Sequence, residues 1–441
     1  MKNAIIIFTI SNIMMNITMK IKELYFFLKD KSVLFTNYFL IVYAFFLPLS
    51  RDISNAIFSI IIVLFFINGN IIDKVRFVLK DRVILSILAF ILMHIIWLLG
   101  TDYIEYAEDR ISDMKFFLAI IIITTMVRKD FIFKIINGFV FAMLLSEISS
   151  YFIYFGIINP FNNATLINPV PFMLNHSFYA TFLSIALGIL LYNLFDNKTK
   201  NNYFIKVLSL FFCVTMIFNI LIISSRLGYV LLFAVIITMV LIFFRRYFFR
   251  SIILAILATS SFYFIAYTNI SNFKNRTNQA IENIKFIFDE QNYNTSEGIR
   301  YGFYVFSLKI LNENPFFGVG TGDHINYIKK EIEESEYKNP EPMLKILNLG
   351  KGTTLHSDYL DILVQFGIIG LLIFMNIFYQ ILRYDQKNKD LKSLQIFLTV
   401  IVLIGAIPQG IVYLSPLNKL FILLLGITLT QYQNTKIKID K

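Results

Sequence analysis

Two runs decide how this chain is read: EGIRYGFYVFSLKILNENPFFGVGTGDH at residues 297–324 and TTLHSDYLDILVQFGIIGLLIF at residues 353–374. Between them lies an acidic, proline-containing middle, Lys329–Pro342. The first run carries Arg300 and the second carries His356. The second ends on glycines inside a new apolar stretch, while almost everything outside these runs is apolar enough for lipid. A long polar interruption in such a chain reads as the working segment. The apolar runs read as a scaffold that holds it at one face of a bilayer.

The composition supports that frame. Of 441 residues, 57% are hydrophobic, and the mean hydropathy is +0.67. A soluble domain cannot bury that much apolar surface, so the pattern is that of an all-α polytopic membrane protein. Phe (48) and Tyr (24) are abundant, as suits lipid contact and interfacial belts. One cysteine, Cys213, excludes an intrachain disulfide and a cysteine-based metal cluster. The net charge of +11 would suggest nucleic acid in a soluble protein. In a membrane protein it belongs to Lys/Arg-rich cytoplasmic loops, so no nucleic-acid partner is expected.

Residues 1–19 are moderately apolar and lack a small-residue cleavage site, so they read as an uncleaved cytoplasmic or interfacial extension. Twelve spans follow, near 33–50, 53–70, 83–100, 113–128, 131–158, 176–195, 204–224, 227–244, 251–268, 359–382, 393–412 and 417–432. Each is about the 17–25 residues that cross roughly 30 Å of hydrocarbon. The fourth is short, and the fifth is long enough to tilt or bend at Gly138.

Loop charges alternate. Lys20–Lys31, Lys74–Arg82, Arg128–Lys134, Lys198–Lys206, Arg245–Arg250, Arg383–Lys392 and Lys436–Lys441 are basic. Thr101–Asp113 is acidic, and Asn159–Asn175 and Val412–Leu417 carry no charge. This positive-inside pattern places both termini in the cytoplasm and Asn269–Asp358 outside. Three parts result: residues 1–268 with nine spans, the external loop 269–358, and residues 359–441 with three spans and a cytoplasmic tail. Loops as long as 269–358 are functional more often than connecting.

Within the loop, Asn269–Asp289 patterns as an amphipathic helix with Ile281, Ile284, Ile287 and Phe288 as its apolar face. Gly298–Leu311 is helical and stops at the turn signal Asn312–Pro315. Phe316–Gly322 is irregular. Ile328–Glu336 is a charged helix broken by Pro340 and Pro342.

Four features carry candidate chemistry, and each has a plainer reading. Arg226, in ISSRLGYV at the outer face, is either an interfacial arginine snorkelling to headgroups or a fixed cation for a phosphate. Arg300 is either a solvated charge or a second guanidinium able to grip pyrophosphate bidentately. His356 sits where a proton acceptor would meet both water and a lipid-borne substrate; its plainer role is a helix cap. His324 is its rival for that role, and Ser357 and Asp358 are supporting candidates. Gly318 and Gly320, with Gly322, offer backbone amides to a phosphate, but a tight turn packing the loop onto the membrane domain suits them better. No metal site and no cofactor are indicated.

Together these residues resemble the O-antigen ligase and polymerase family of bacterial membrane glycosyltransferases. The matching pieces are SSRLG around Arg226, SLKILNENPFFGVG after Arg300, and HSDYLDILVQFGIIGL from His356. The resemblance covers roughly Ser224–Leu372, and Ser357 and Gln365 depart from the residues common there. It implies metal-independent inverting transfer outside the cytoplasmic membrane, with a glycan on undecaprenyl pyrophosphate as donor. Carried over by position, Arg226 and Arg300 contact the pyrophosphate, and His356 deprotonates or positions the acceptor hydroxyl. In a ligase the acceptor is lipid A-core; in a polymerase it is a second lipid-linked repeat unit. Ligase is the leading expectation and polymerase the alternative, with a protein glycan ligase and a lipid-linked sugar transporter behind them. Transport fits less well, because the spans hold few charges, Glu147 among them, and polarity gathers in one loop.

Overall fold

The computed structural model describes residues 2–430 and 433, apart from 163, 173–174, 197–202, 224, 245–246, 291–292, 336, 338 and 351–352, and gives residues 2–19, 21, 248 and 290 by backbone alone. Helix follows helix: α1 Lys2–Phe46, α2 Arg51–Asn68, α3 Ile71–Val78, α4 Arg82–Ile96, α5 Ile104–Met114, α6 Ala119–Met126, α7 Ile132–Tyr154, α8 His176–Phe195 and α9 Tyr203–Ile222. Then come α10 Arg226–Phe243, α11 Phe248–Asn269, α12 Ser271–Glu290, α13 Ser296–Glu313, α14 His324–Glu333, α15 Glu341–Leu347, α16 Asp358–Arg383, α17 Lys389–Gly405 and α18 Leu417–Thr428. No strand occurs among the described residues.

Helix starts follow local chemistry. Side chains of Ser50, Asp81, Asn175, Ser225 and Thr295 accept from the first free backbone N–H groups of α2, α4, α8, α10 and α13. Pro340 and Pro342 begin α15 instead of breaking a helix, because proline is tolerated in a first turn, where its missing N–H has no intrahelical partner.

Among the described residues, 8 helices are long and apolar enough to cross a membrane, which makes this a polytopic membrane protein. These eight coincide with eight of the twelve expected spans. The other four expectations fall on less regular elements. The first falls on the end of the long α1 and the turn after it. The fourth is split between α5, a short 3-10 turn at Lys115–Leu118 and the eight-residue α6. The eleventh and twelfth fall on α17 and α18, of 17 and 12 residues. At Gly138, where the sequence allows a tilt or bend, the helix is continuous. α7 runs through it, and the missing side chain lets α1 approach, since a Cβ there would lie 3.0 Å from the Ile41 carbonyl oxygen.

Segments expected on one side of the bilayer meet one another. The Asp323 carboxylate accepts from the backbone of Asp102 (2.8 Å) and Tyr103 (2.9 Å). Asp358 Oδ2 accepts from Ile411 (2.7 Å) and Val412 (3.0 Å). The basic 383–392 segment closes on itself, Lys392 reaching the Leu382 carbonyl, and it meets the end of α18, where Gln386 reaches the Thr428 carbonyl. The basic residues at 198–202, 245–246 and 436–441 used in the charge argument lie outside the described residues.

The 269–358 loop folds on itself. Phe303, Phe306, Ile325, Ile328, Met343 and Leu355 belong to a small core separate from that of the helical bundle. On α12 the expected apolar face is not the buried one. Ile281, Ile284 and Phe288 are exposed, and Ile287 is buried.

The glycine-rich turn is fixed to α16. That helix is interrupted at Gly367, whose φ is +62°, and Gly318 has φ +67°. A Cβ on either residue would drive into the other segment's backbone. The break exposes α16 backbone groups, and the turn satisfies them. Val319 and Gly320 donate to the carbonyls of Val364 (2.9 Å) and Gln365 (3.0 Å), and Ile368 donates to Pro315 (2.9 Å).

Candidate functional site

A cavity of about 650 Å³ lies where α10, α12 and α13 meet the segment before α8. Its wall includes Arg226, Arg276, Glu297, Arg300, His176 and Asn168, with Leu227, Val230 and Pro408 on the apolar side. The fold thus brings together Arg226 and Arg300, 74 positions apart in sequence, and adds a third arginine. Three guanidinium groups against one carboxylate make the cavity an anion site by charge.

Each arginine is held differently. Arg226 is the first residue of α10, placed by the Ser225 cap, and is ion-paired with Glu297. The second Glu297 oxygen accepts from Asn283 on α12. Arg276 hydrogen-bonds Gln279 at 3.2 Å within α12. Arg300, on α13, is half-buried with its Nε fully covered, and among the described residues no hydrogen bond or ion pair meets its guanidinium. Burial pushes its pKa below the usual arginine range, yet no carboxylate stands by it. A buried cation without a counter-ion is costly in a structural role and sensible in a site that receives an anion.

His356 is next to this group. It has φ +57°, a left-handed conformation rare for a residue with a side chain. Its ring Nδ1 is buried without a hydrogen-bond partner. Burial lowers its pKa, and the Arg300 charge lowers it further, while Asp361 works in the opposite direction. The ring is therefore neutral at physiological pH and able to accept a proton.

His324 is elsewhere. It is fully buried, and its Nε2 lies 2.9 Å from Asp361 Oδ1. Burial holds its pKa down. His324 therefore has no exposed surface, whereas His356 is partly exposed. Ser357 and Asp358 are buried too. Ser357 precedes α16 and its hydroxyl donates to Ala406 (3.3 Å), while Asp358 binds backbone of residues 411–412. Both anchor the start of α16. Gly318 and Gly320 hold the turn, and the amides of Gly318, Val319, Gly320 and Gly322 are all engaged within the protein, leaving none for a phosphate. Ser224, part of the quoted SSRLG, lies outside the described residues. Glu147 is buried in α7 beside a separate aromatic cavity.

Sequence reading missed Arg276, Glu297, His176, Asp361 and Arg110. Arg276 sits on the polar side of an amphipathic helix and looks solvated there. Glu297 carried one signal, its position three residues before Arg300 on the same helical face.

The model of the O-antigen ligase family matches residues 211–375. This segment is similar to the O-antigen ligase family. It contains Arg226, Arg276, Glu297, Arg300, His324, His356, Asp358 and Asp361, while Arg110, Glu147 and His176 lie before it. A Haemophilus influenzae protein described as uncharacterized is 29% identical over 124 residues, or 27% of this chain and 29% of that protein. The chain's match thus spans under a third of that relative's length. The matched segment thus holds the three arginines of the cavity together with His356, which is in a left-handed conformation and feels the Arg300 charge, and this suits a transferase.

Proposed function

We propose that this protein is an O-antigen ligase, transferring a glycan from undecaprenyl pyrophosphate to lipid A-core at the external face of the bacterial inner membrane. The donor pyrophosphate sits in the arginine cavity. His356 takes the proton of an acceptor hydroxyl. The freed oxygen attacks the anomeric carbon from the side opposite the pyrophosphate, and the bond from that carbon to the pyrophosphate oxygen breaks. Undecaprenyl pyrophosphate leaves with the electron pair, and the anomeric centre is inverted. The charge that develops on the leaving oxygen is met by Arg300, Arg276 and Arg226. Fixed cations of this kind are a main source of rate acceleration in a water-poor site. The apolar spans accommodate the polyprenyl chain, and neighbouring membrane lipids surround it.

The reading rests above all on Arg300, a half-buried arginine in the cavity wall that meets no anion among the described residues and whose charge acts on His356. Purified protein incubated with a lipid-linked glycan and either lipid A-core or further lipid-linked repeats tests it. Glycan on lipid A-core supports the ligase. Lengthened lipid-linked glycan with none on the core makes it a polymerase. No product of either kind removes the transferase reading.

A further inference from the structure

The turn that carries His356 is gripped from behind by groups the transfer steps above do not use. The Thr353 carbonyl accepts from Arg110 of α5. The Leu355 N–H donates to Asp361 Oδ1 at 3.1 Å. That same oxygen is 2.9 Å from His324 Nε2, which in turn is 3.4 Å from Arg110 Nη2. The Arg110 guanidinium lies 4.7 Å over the Tyr413 ring. Asp361 and His324 are fully buried, and Arg110 is 3% exposed. On the far side, the Asp358 N–H and the Ser357 hydroxyl both donate to the Ala406 carbonyl. His356 is therefore held at both flanks.

A buried ionisable cluster is a poor way to stabilise a turn, since apolar residues of equal volume do so without desolvating charge. Its advantage is direction, because each bond fixes one backbone group. Three consecutive residues before His356 are tied down in this way, counting Thr354 Oγ1, which accepts from the His356 N–H at 3.4 Å. Without such ties a histidine relaxes out of a left-handed conformation, which costs about 1–3 kcal/mol to maintain.

We propose that Asp361 is the positioning residue for His356, holding the Thr353–His356 turn in its left-handed form with His324 and Arg110 as its supports. The inference rests on the reading of His356 as the proton acceptor. The charged groups that face His356 are Arg300 from α13 and Asp361 from α16. His324 and Arg110 stand behind Asp361, and Asp358 is turned to the backbone of residues 411–412. Asp361 thus also stabilises the protonated ring.

The test uses purified full-length Asp361→Asn with two readouts. Hydrogen–deuterium exchange of the peptide spanning 353–357 is expected to quicken while α13 stays as in the wild type. Transfer is expected to lose roughly 10–100-fold in kcat with the donor KM little changed, the scale seen when an orienting partner of a histidine is removed. The acid limb of its pH profile is expected to move to lower pH, because loss of the carboxylate disfavours the imidazolium. A merely structural aspartate would not move that limb. Unchanged exchange at 353–357, or faster exchange with a wild-type kcat, overturns the proposal. If Asp361→Asn does not fold, Arg110→Gln is read the same way through the Thr353 tie. Activity retained by His356→Ala, with exchange still quickened by Asp361→Asn, sinks the proton-acceptor reading and leaves the positioning of the turn intact.

Discussion

Arg226 at the start of α10 is ion-paired with Glu297 at the start of α13, 71 residues further along the chain. The pair ties a membrane helix to the loop that carries Arg300, and it lowers the net positive charge of the cavity by one. Glu297→Gln is therefore expected to strengthen inhibition of transfer by inorganic pyrophosphate several-fold at low salt. Surface-exposed charges are screened within about 8 Å at physiological salt, so the difference should shrink as salt is added. Inhibition constants at two ionic strengths measure it, and an unchanged constant at both speaks against an anion in this cavity.

Among the described residues Arg300 has no partner to share its charge with, so its loss should be felt in the transition state. Arg300→Ala is expected to lower kcat by roughly 10²–10³-fold, the usual cost of removing one fixed donor from a site of developing charge. Arg300→Lys should recover little, because an ammonium cannot make the bidentate contact. Arg276→Ala is expected to lose less, about tenfold, since that side chain is shared with Gln279. Membrane levels by immunoblot should stay normal in all three.

His356 must be neutral to accept a proton. Its pKa is lowered by burial and by Arg300, so the acid limb of kcat/KM is expected below the ordinary histidine value of about 6.5. Transfer should fall as pH drops through that limb. Arg300→Gln removes a repelling cation, favours the imidazolium and should raise the limb in whatever activity remains. His356→Ala should be inactive across the range. A limb that stays in place in Arg300→Gln would separate the two residues electrostatically.

Gly318 and Gly367 are the junction of the loop with the membrane. Gly367→Ala and Gly318→Ala each combine a positive φ with a side chain aimed into backbone, and each is expected to destabilise by at least about 1–3 kcal/mol. Thermal unfolding in detergent should show the loss. Activity per folded molecule at low temperature should suffer less than stability does.

The external placement of the loop has a direct check. A phosphatase fusion at Lys330 is expected to be active, and a stable but inactive fusion there would put the loop in the cytoplasm.

Much of the fold can be read in the chain because lipid imposes simple rules. Apolar runs of the right length become helices, and eight of twelve stand where the pattern puts them. The exceptions are those where charge or irregularity interrupts the run, as at Asp113 and Lys115. The helix at Gly298–Leu311 was equally legible, from its spacing and the stop at Pro315. On α12 the pattern misled, because an amphipathic helix shows two faces but not which one its neighbours cover.

By itself the sequence determined the membrane class, the polar segment at 297–356, and the candidacy of Arg226, Arg300 and His356. Those follow from hydropathy, from local turn chemistry and from motif, all of which act over short distances along the chain. Only the tertiary structure decided which charges share a space. It added Arg276 and Glu297 to the cavity, buried His324 against Asp361, and set Asp361 and Arg110 behind the His356 turn. It also showed the amides of Gly318, Val319, Gly320 and Gly322 to be spent on the protein itself. Partners such as Arg110 and Thr353 are 243 residues apart, and no local rule links them. What joins them is that a buried charge must find an opposite charge or a carbonyl wherever the fold brings one near.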